Sequence, residues 1–397
     1  MSTASSEGDG DESTAAVETA AADYPADIGT EGRRLLYDLV STPSPTGEER
    51  AAAERLVAFF EAHDREVWLD EVGNVRAPAD DSVLLTSHVD TVPGDIPVEV
   101  KPGVDDEDVD TNPDEPCLWG RGSVDATGPL AAMAVAAVET GVSFVGVVGE
   151  ETDSRGARHL VEDRAEAPGA VVNGEPSGWD GVTLGYRGFL AGTYVAASES
   201  GHTSRPDANA IEAAMDWWGA VEAEFDPEDY VPVFEQVTTK PVGVDGGDSA
   251  DGLSVEVTMD VQLRVPPKLT PDEVRERADS HLGVGSDDGE PFGTVHWEEP
   301  IPPVMESPRT EVARAFRVAI RGAGADPRLL RKTGTSDMNL FAEAWDCPMA
   351  TYGPGDSSLD HAPNEHLSLA EFDRSVEVLT AVATDLKGDG GGEGGAE

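Results

Sequence analysis

Cysteine is almost missing from this chain of 397 residues: Cys117 and Cys347 are the only two. They form no metal-type spacing and no disulfide framework, so a reducing cytoplasm is the expected location. Lysine is nearly as scarce, at Lys101, Lys240, Lys268, Lys332 and Lys387. Together with arginine it supplies 27 basic residues against 79 acidic ones, a formal net charge of −52. A chain this poor in positive charge neutralises no phosphate backbone, which argues against a nucleic-acid partner. Apolar runs never approach the roughly 18–20 residues of a membrane span, which argues against a membrane role. The N-terminal stretch MSTASSEGDGDESTAAVETAAADYPAD lacks a basic n-region and an apolar h-region, so it is not expected to act as a secretory signal.

Acid, by contrast, is abundant and spread along the whole chain. In dilute buffer such a protein repels itself, and at molar salt the screening length falls to about 3 Å, so most of that repulsion vanishes. The charge predicts a cytoplasmic protein from a salt-accumulating organism. Residues 1–24 and the Gly-rich stretch 387–397 are expected to be disordered tails.

Between the tails the chain is too long for one ordinary core, and two domains are expected. The segment 31–63 has helical periodicity interrupted at STPSPTGEE, where Ser44 or Thr46 can cap the second helix. EVWLDEV, SVLLTS, VSFVGVVG and GAVVNG read as buried strands, and TGPLAAMAVAAVETG as a helix stopped by glycine. Strands alternating with helices predict an α/β catalytic domain with a mostly parallel sheet flanked by helices. The texture changes near residue 186 to alternating strands and two helices, an α+β unit, and the α/β texture resumes near 304. The expected organisation is a first catalytic part at 25–185, an inserted α+β lid or dimerisation domain at 186–303, and a second catalytic part at 304–386.

Potential metal ligands stand at the ends of these expected strands. His88 and Asp90 follow VLLTS, Glu150 and Glu151 follow VSFVGVVG, and Glu175 follows GAVVNG. Asp125 precedes the TGPLAAM helix, and His361 lies beyond MATY. In an open α/β sheet ligands gather beyond the carboxyl ends of the strands. Any one of these residues alone is an ordinary loop residue, and in so acidic a chain a carboxylate says little. The chain has 8 histidines, so one at each of two strand ends beside acid is the informative coincidence. Imidazoles and carboxylates without thiolate suit zinc, cobalt or manganese, with donors enough for two ions sharing a carboxylate.

SHVDTVPG, LWGRGSVDATGPLAAM, GEETDSRGA, VNGEP and DHAPNEH, in this order, resemble the co-catalytic zinc aminoacylase/carboxypeptidase family. That family includes acetylornithine deacetylase and succinyl-diaminopimelate desuccinylase. GEPSGWDGVTLGYRG, RKTGTSDMN and YGPGDSSLDHAPNEHLSLAEF are similar to its branch that releases lysine or ornithine from the small acidic amino-group carrier protein LysW, in lysine and arginine biosynthesis. One departure stands out: Thr127 follows Asp125 where that branch usually has lysine.

The resemblance implies two divalent ions, Zn2+ or Co2+. His88 and Glu175 would hold one, Glu151 and His361 the other, with Asp125 bridging. Glu150 would be the general base and Asp90 a carboxylate orienting His88, since an aspartate two residues along an extended segment faces the same side. His202 in ESGHTSRP resembles a histidine that reaches a neighbouring subunit's active site, implying a homodimer. Arg264 is placed to clamp a substrate carboxylate, a surface ion pair being the other reading. Arg187, Arg205 and Lys332 are basic residues at motif positions and candidates for gripping acidic substrate groups, while Asp337 and Glu343 are candidates for a substrate ammonium. Two other functions stay open: the same chemistry on a small free substrate (N-acetylornithine, an N-acyl amino acid or a dipeptide), and a catalytically inactive binding homologue.

Overall fold

The computed structural model describes residues 24–103, 115–202, 204, 207–284 and 292–388. The two expected tails lie outside the described residues apart from their inner ends, and so does Arg205.

Apolar, β-branched segments build a nine-stranded mixed sheet. Its centre is Val142–Val147, Asp80–His88, Val171–Gly174 and Met349–Thr351, adjacent and mutually parallel. Continuous burial along VLLTSH and VSFVGV reflects layers covering both faces. The flanks are antiparallel: Trp68–Leu69 and Val75–Ala77 on one side, Gly181–Tyr186 and Val304–Met305 on the other, with Arg328–Lys332 parallel to Gly181–Tyr186. Apart from that one flanking pair, parallel pairing is confined to the middle, which is where the candidate ligands leave the sheet.

Helix Thr127–Thr140 is apolar on every side and accordingly buried on nearly every side, between the sheet and helix Leu369–Lys387. Its Gly128 permits a close approach, since a Cβ there would lie 2.5 Å from the Ser123 carbonyl oxygen. Gly141, at φ 67°, ends the helix in the left-handed conformation that glycine adopts freely. The broken helical segment becomes Glu31–Val40 and Arg50–Ala62. Neither expected cap acts on the second helix: Glu49 is its N-cap and makes no side-chain cap bond. The Thr46 hydroxyl instead donates to Asp90 Oδ2 at 2.7 Å, toward the site described below.

The chain leaves the large sheet after Gly181–Tyr186 and rejoins it against that same strand at Val304–Met305. Between these points Thr238–Asp248, Ser254–Val265, Gly188–Glu199 and Gly293–Trp297 form a four-stranded antiparallel sheet. Helices Ala210–Phe225 and Pro271–Asp279 cover it, with Trp217 stacked on Tyr194 in a core of its own. The architecture is an α/β catalytic domain with an inserted domain. No helix among the described residues is long and apolar enough to cross a membrane, and both cysteines are free.

Candidate metal centre and cleft

The four central strands end at one edge of the sheet. His88 closes Asp80–His88, Glu150 and Glu151 follow Val142–Val147, Glu175 follows Val171–Gly174, and His361 follows Met349–Thr351 after a short 3-10 turn. Asp125 enters from the turn before helix Thr127–Thr140. Residues scattered over the sequence thus meet around one carboxylate. Asp125 Oδ1 lies 3.2 Å from His88 Nε2, and Oδ2 lies 3.2 Å from His361 Nε2. His361 Nε2 is also 3.1 Å from Glu151 Oε2. One donor atom from each of His88, Asp125 and Glu151 falls within a 4.8 Å group, and so does one from each of His88, Glu150 and Glu175.

The ring of His88 is fixed from behind, though not as the sequence suggests. Its Nδ1 lies 2.8 Å from the backbone carbonyl oxygen of Asp90 and 3.7 Å from that residue's carboxylate. A carbonyl only accepts, so Nδ1 carries a proton and Nε2 is the nitrogen turned toward the cluster. The Asp90 carboxylate has a different task. It accepts the backbone N–H groups of Gly149, Glu150 and Glu151 at 2.9, 3.1 and 3.2 Å, as well as the Thr46 hydroxyl. Asp90 therefore joins the His88 strand end to the Glu150-Glu151 loop.

So many carboxyls in one buried place perturb one another. Burial, and then the charge of Glu175, pushes Glu150 well up from the usual carboxylate range. Burial likewise raises Glu175 and brings Glu151 to about 7. For Asp125 burial acts upward too, but the hydrogen bonds from His361 and His88 prevail and hold it low. Burial opposes a charge on His88, yet the Asp125 hydrogen bond and the nearby Glu175 and Glu150 carboxylates raise it. Asp125 draws His361 up to about 9.

This donor set fits a pair of divalent cations. It offers imidazole nitrogens and carboxylate oxygens without thiolate, and Glu151 Oε1 is buried with no hydrogen-bond partner among the described residues. The raised carboxyls also give a thermodynamic prediction. Glu151 at about 7 holds its proton in the folded chain over a pH range where the unfolded chain has released it. That stabilising contribution is complete below the unfolded value of about 4.3 and is lost as pH rises through the folded value. Bound cations replace the proton. The rise in Tm on adding Zn2+ or Co2+ at constant molar salt is therefore expected to be larger at pH 8 than at pH 5.5. Calorimetric scans with equal rises at both pH values would contradict this linkage.

The cluster lines a cleft of about 680 Å³. Arg264, from the inserted sheet, lines it too; its guanidinium lies 4.5 Å above the Phe189 ring, and Nη1 donates to Thr335 Oγ1 at 3.2 Å. Lys332 also lines the cleft, with Nζ donating to the Pro176 carbonyl at 2.5 Å beside Glu175. Arg187 does not fit the substrate-gripping expectation. It is buried, and it donates to the Thr333 carbonyl at 2.9 Å, to Thr238 Oγ1 at 2.9 Å and to the carbonyls of Val233 and Gln236. Its guanidinium ties the segment 233–238, which leads into the inserted sheet, to the segment after Arg328–Lys332. His202 is exposed, hydrogen-bonds with Ser204 Oγ at 2.8 Å, and does not line this chain's cleft. Asp337 is buried beside the cluster, whereas Glu343 is exposed away from the cleft lining. The sequence reading missed Asp360, which lines the cleft next to His361, and Glu365, whose buried carboxylate holds the Asp125 turn. Both stand in the quoted DHAPNEH stretch, but only its first histidine had been given a role.

Candidate metal ligands at the carboxyl edge of a mixed sheet, facing a cleft that an arginine of the inserted domain also lines, suit metal-dependent hydrolysis of an amide bond. The chain belongs to Peptidase family M20/M25/M40, matched over residues 84–385, and it is a hydrolase of amide bonds. It is 39% identical to the [LysW]-lysine hydrolase of Deinococcus radiodurans, covering 90% of this chain and 97% of that one. It is 35% identical to the putative [LysW]-lysine/[LysW]-ornithine hydrolase of Thermococcus kodakarensis, over 89% and 92% of the two chains. Among solved structures, the M20 family metallo-carboxypeptidase of Sulfolobus solfataricus superposes with a TM-score of 0.69 at 17% identity, over 89% and 98% of the two chains.

Proposed function

We propose that this protein is a two-metal amide hydrolase that releases lysine, ornithine or both from the C-terminal glutamyl group of a LysW-type carrier protein. The observation that carries the chemistry is the approach of His88 and His361 to the two oxygens of one carboxylate, Asp125. The relatives' names support the carrier-borne substrate. His88 and Glu175 would hold one ion and Glu151 and His361 the other, with Asp125 shared between them; Zn2+ and Co2+ are the ions proposed. Such a pair supplies Lewis acidity at the scissile carbonyl and makes water acidic enough to react near neutral pH.

The chain's own groups do the rest. The Glu150 carboxylate takes a proton from the attacking water and delivers it to the departing amine. It is free to do so because Glu151 turns toward His361 while Glu150 turns toward Glu175. Asp90 keeps both glutamates in register through their backbone N–H groups. Arg264 takes the carboxylate of the released amino acid through its planar fork. Lys332 stands at the wall of the cleft for the acidic side of the substrate.

We place the enzyme in the cytoplasm of a salt-accumulating organism, as a homodimer formed through the inserted domain at 186–303. His202 then serves the other subunit's cleft rather than its own. The outer edge of Thr238–Asp248, unpaired among the described residues and with Val242 and Val244 exposed on it, supports that contact surface. An acidic carrier can approach so acidic an enzyme at molar salt because only contact-range charges matter there.

Steady-state kinetics on LysW-lysine, LysW-ornithine and N-acetyl-lysine test the reading. The carrier-borne substrates are expected to have the higher kcat/KM. Preference for N-acetyl-lysine would move the protein to the small-substrate function, and no hydrolysis of any of them with metal bound would leave only a binding role.

A further inference from the structure

The Asp125 turn, residues 120–127, wraps around a side chain from another part of the protein. Glu365 is fully buried. Its Oε1 accepts the backbone N–H groups of Val124 at 2.8 Å and Asp125 at 3.1 Å. Its Oε2 accepts the Gly122 N–H at 3.0 Å and Arg121 Nη1 at 2.8 Å. Backbone N–H groups converging this way form a small anion-binding concavity, and here the anion belongs to the protein itself. The turn leaves little freedom around it. Gly122 has φ 81°, and a Cβ there would lie 2.5 Å from Thr91 Cγ2, so both the conformation and the space call for glycine. A second tie runs in parallel, with Arg121 Nη1 donating to the Ala362 carbonyl at 3.3 Å.

We infer that Glu365 is a positioning residue for the two-metal site: its carboxylate fixes the Asp125 backbone and sets the register between Asp125 and the loop that carries His361. The inference rests on the proposed two-metal reading for its consequence, though not for its geometry. His361 lies four positions before Glu365 on the same loop, and it reaches Asp125 Oδ2 at 3.2 Å. His361 is held at φ 60°, a left-handed conformation unusual for a side-chain-bearing residue, so the loop has few alternative ways to present the ring. Fixing the carboxylate four residues on against the Asp125 turn therefore fixes the distance between two proposed ligands.

The arrangement mirrors Asp90. That residue stands on the His88 strand end and collects the N–H groups of the Glu150-Glu151 loop. Glu365 stands on the His361 loop and collects those of the Asp125 turn. Each half of the site is thus a liganding segment hung on a buried carboxylate from another liganding segment. All four partners of Glu365 are donors, and a carboxylate has acceptors for all of them. An amide in its place would turn an NH2 group toward two of those donors.

The test uses Glu365→Gln, Glu365→Asp and Arg121→Gln in the full chain at molar salt, with two readouts. The first, in metal-free protein, is amide hydrogen exchange at Gly122, Val124 and Asp125. Glu365→Gln is expected to speed exchange there at least tenfold, with little change at Val142–Val147, and Glu365→Asp, which keeps the charge, to restore part of the protection. The second is Co2+ affinity by titration, together with the visible spectrum of the loaded site. Loss of a hydrogen-bond partner behind a ligand typically weakens metal binding by about 10–100-fold, which is the loss expected for Glu365→Gln. Arg121→Gln leaves the three backbone bonds in place and is expected to lose much less. If Glu365→Gln does not fold, Glu365→Asp carries both readouts, with smaller effects in the same direction. Wild-type exchange in the turn, or wild-type Co2+ affinity and spectrum in the glutamate variants, overturns the inference. Absence of Co2+ binding by the unmodified protein would instead overturn the two-metal reading and leave the exchange result to stand or fall separately.

Discussion

Glu150→Gln is expected to lower kcat by about 10²–10⁴-fold, the range for losing a positioned general base, with KM and metal content nearly unchanged. The substitution keeps the side chain's shape and removes only its ability to carry a proton. Stability should not suffer. Burial and the charge of Glu175 push the Glu150 carboxyl up, which means its ionised form is disfavoured where it sits. A neutral amide relieves that repulsion, so the metal-free variant is expected to melt at the same temperature as the parent or above it. The pH profile separates base loss from misassembly: a limb of kcat/KM that belongs to Glu150 disappears in the variant, while a limb set by the metal-held cluster remains. Stopped-flow or steady-state rates with ion content measured on the same samples decide the matter. Turnover equal to the parent's would dispose of Glu150 as the base. A variant that has lost its ions would show that Glu150 is a ligand, a role its grouping with His88 and Glu175 allows geometrically.

The proposed ligand positions His88, Glu150, Glu151 and Glu175 were legible in the sequence because each follows a run whose burial is unmistakable. SVLLTS and VSFVGVVG can only be central strands in a soluble α/β protein, and a histidine or paired glutamates at their ends stand out. The groups that hold those ligands were not legible, for reasons of geometry and background. Glu365 is one acid among 79, and nothing in its neighbours foretells that the Asp125 turn closes over it. Asp90 was read as a carboxylate brace for His88, but its backbone carbonyl rather than its carboxylate meets the ring, and residue spacing cannot tell those two apart. Arg187 misled by its rarity: in a chain short of base, a buried arginine looks like a substrate contact until its partners prove to be carbonyl groups and a threonine hydroxyl. Strand Gly181–Tyr186 and helix Arg155–Asp163 went unread because glycine punctuates the first and charge dominates the second, although the strand is buried throughout and the helix buries Gly156, Ala157 and Leu160.

Lowering KCl from 3 M to 0.1 M is expected to depress Tm by more than about 10 °C and to abolish activity at temperatures the protein tolerates in molar salt. The stability involved is a few kcal/mol, and for a domain of 150–250 residues each kcal/mol moves Tm by about 2–4 °C. The structure indicates where the balance is set. Its arginines tie distant segments together: Arg33 with Asp373, Arg76 with Asp163, Arg155 with Glu49, Arg164 with Asp81. With 27 basic residues against 79 acids, most of the acid has no cation to meet and must face water and counterions. At 0.1 M the Debye length is about 10 Å, so each surface carboxylate feels several neighbours, while at 1 M and above it is about 3 Å or less and each feels almost none. Salting-out is the competing cause, and the two differ in their dependence on the salt. Screening saturates near 1 M and is much the same for KCl and K2SO4 at equal ionic strength. Exclusion from the surface grows steadily with concentration and favours sulfate. A curve that rises steeply below 1 M and then flattens, alike for both anions, is the expected outcome. A Tm that does not change between 0.1 M and 3 M KCl would mean that the acid excess is balanced some other way, and the case for a salt-accumulating cytoplasm would go with it.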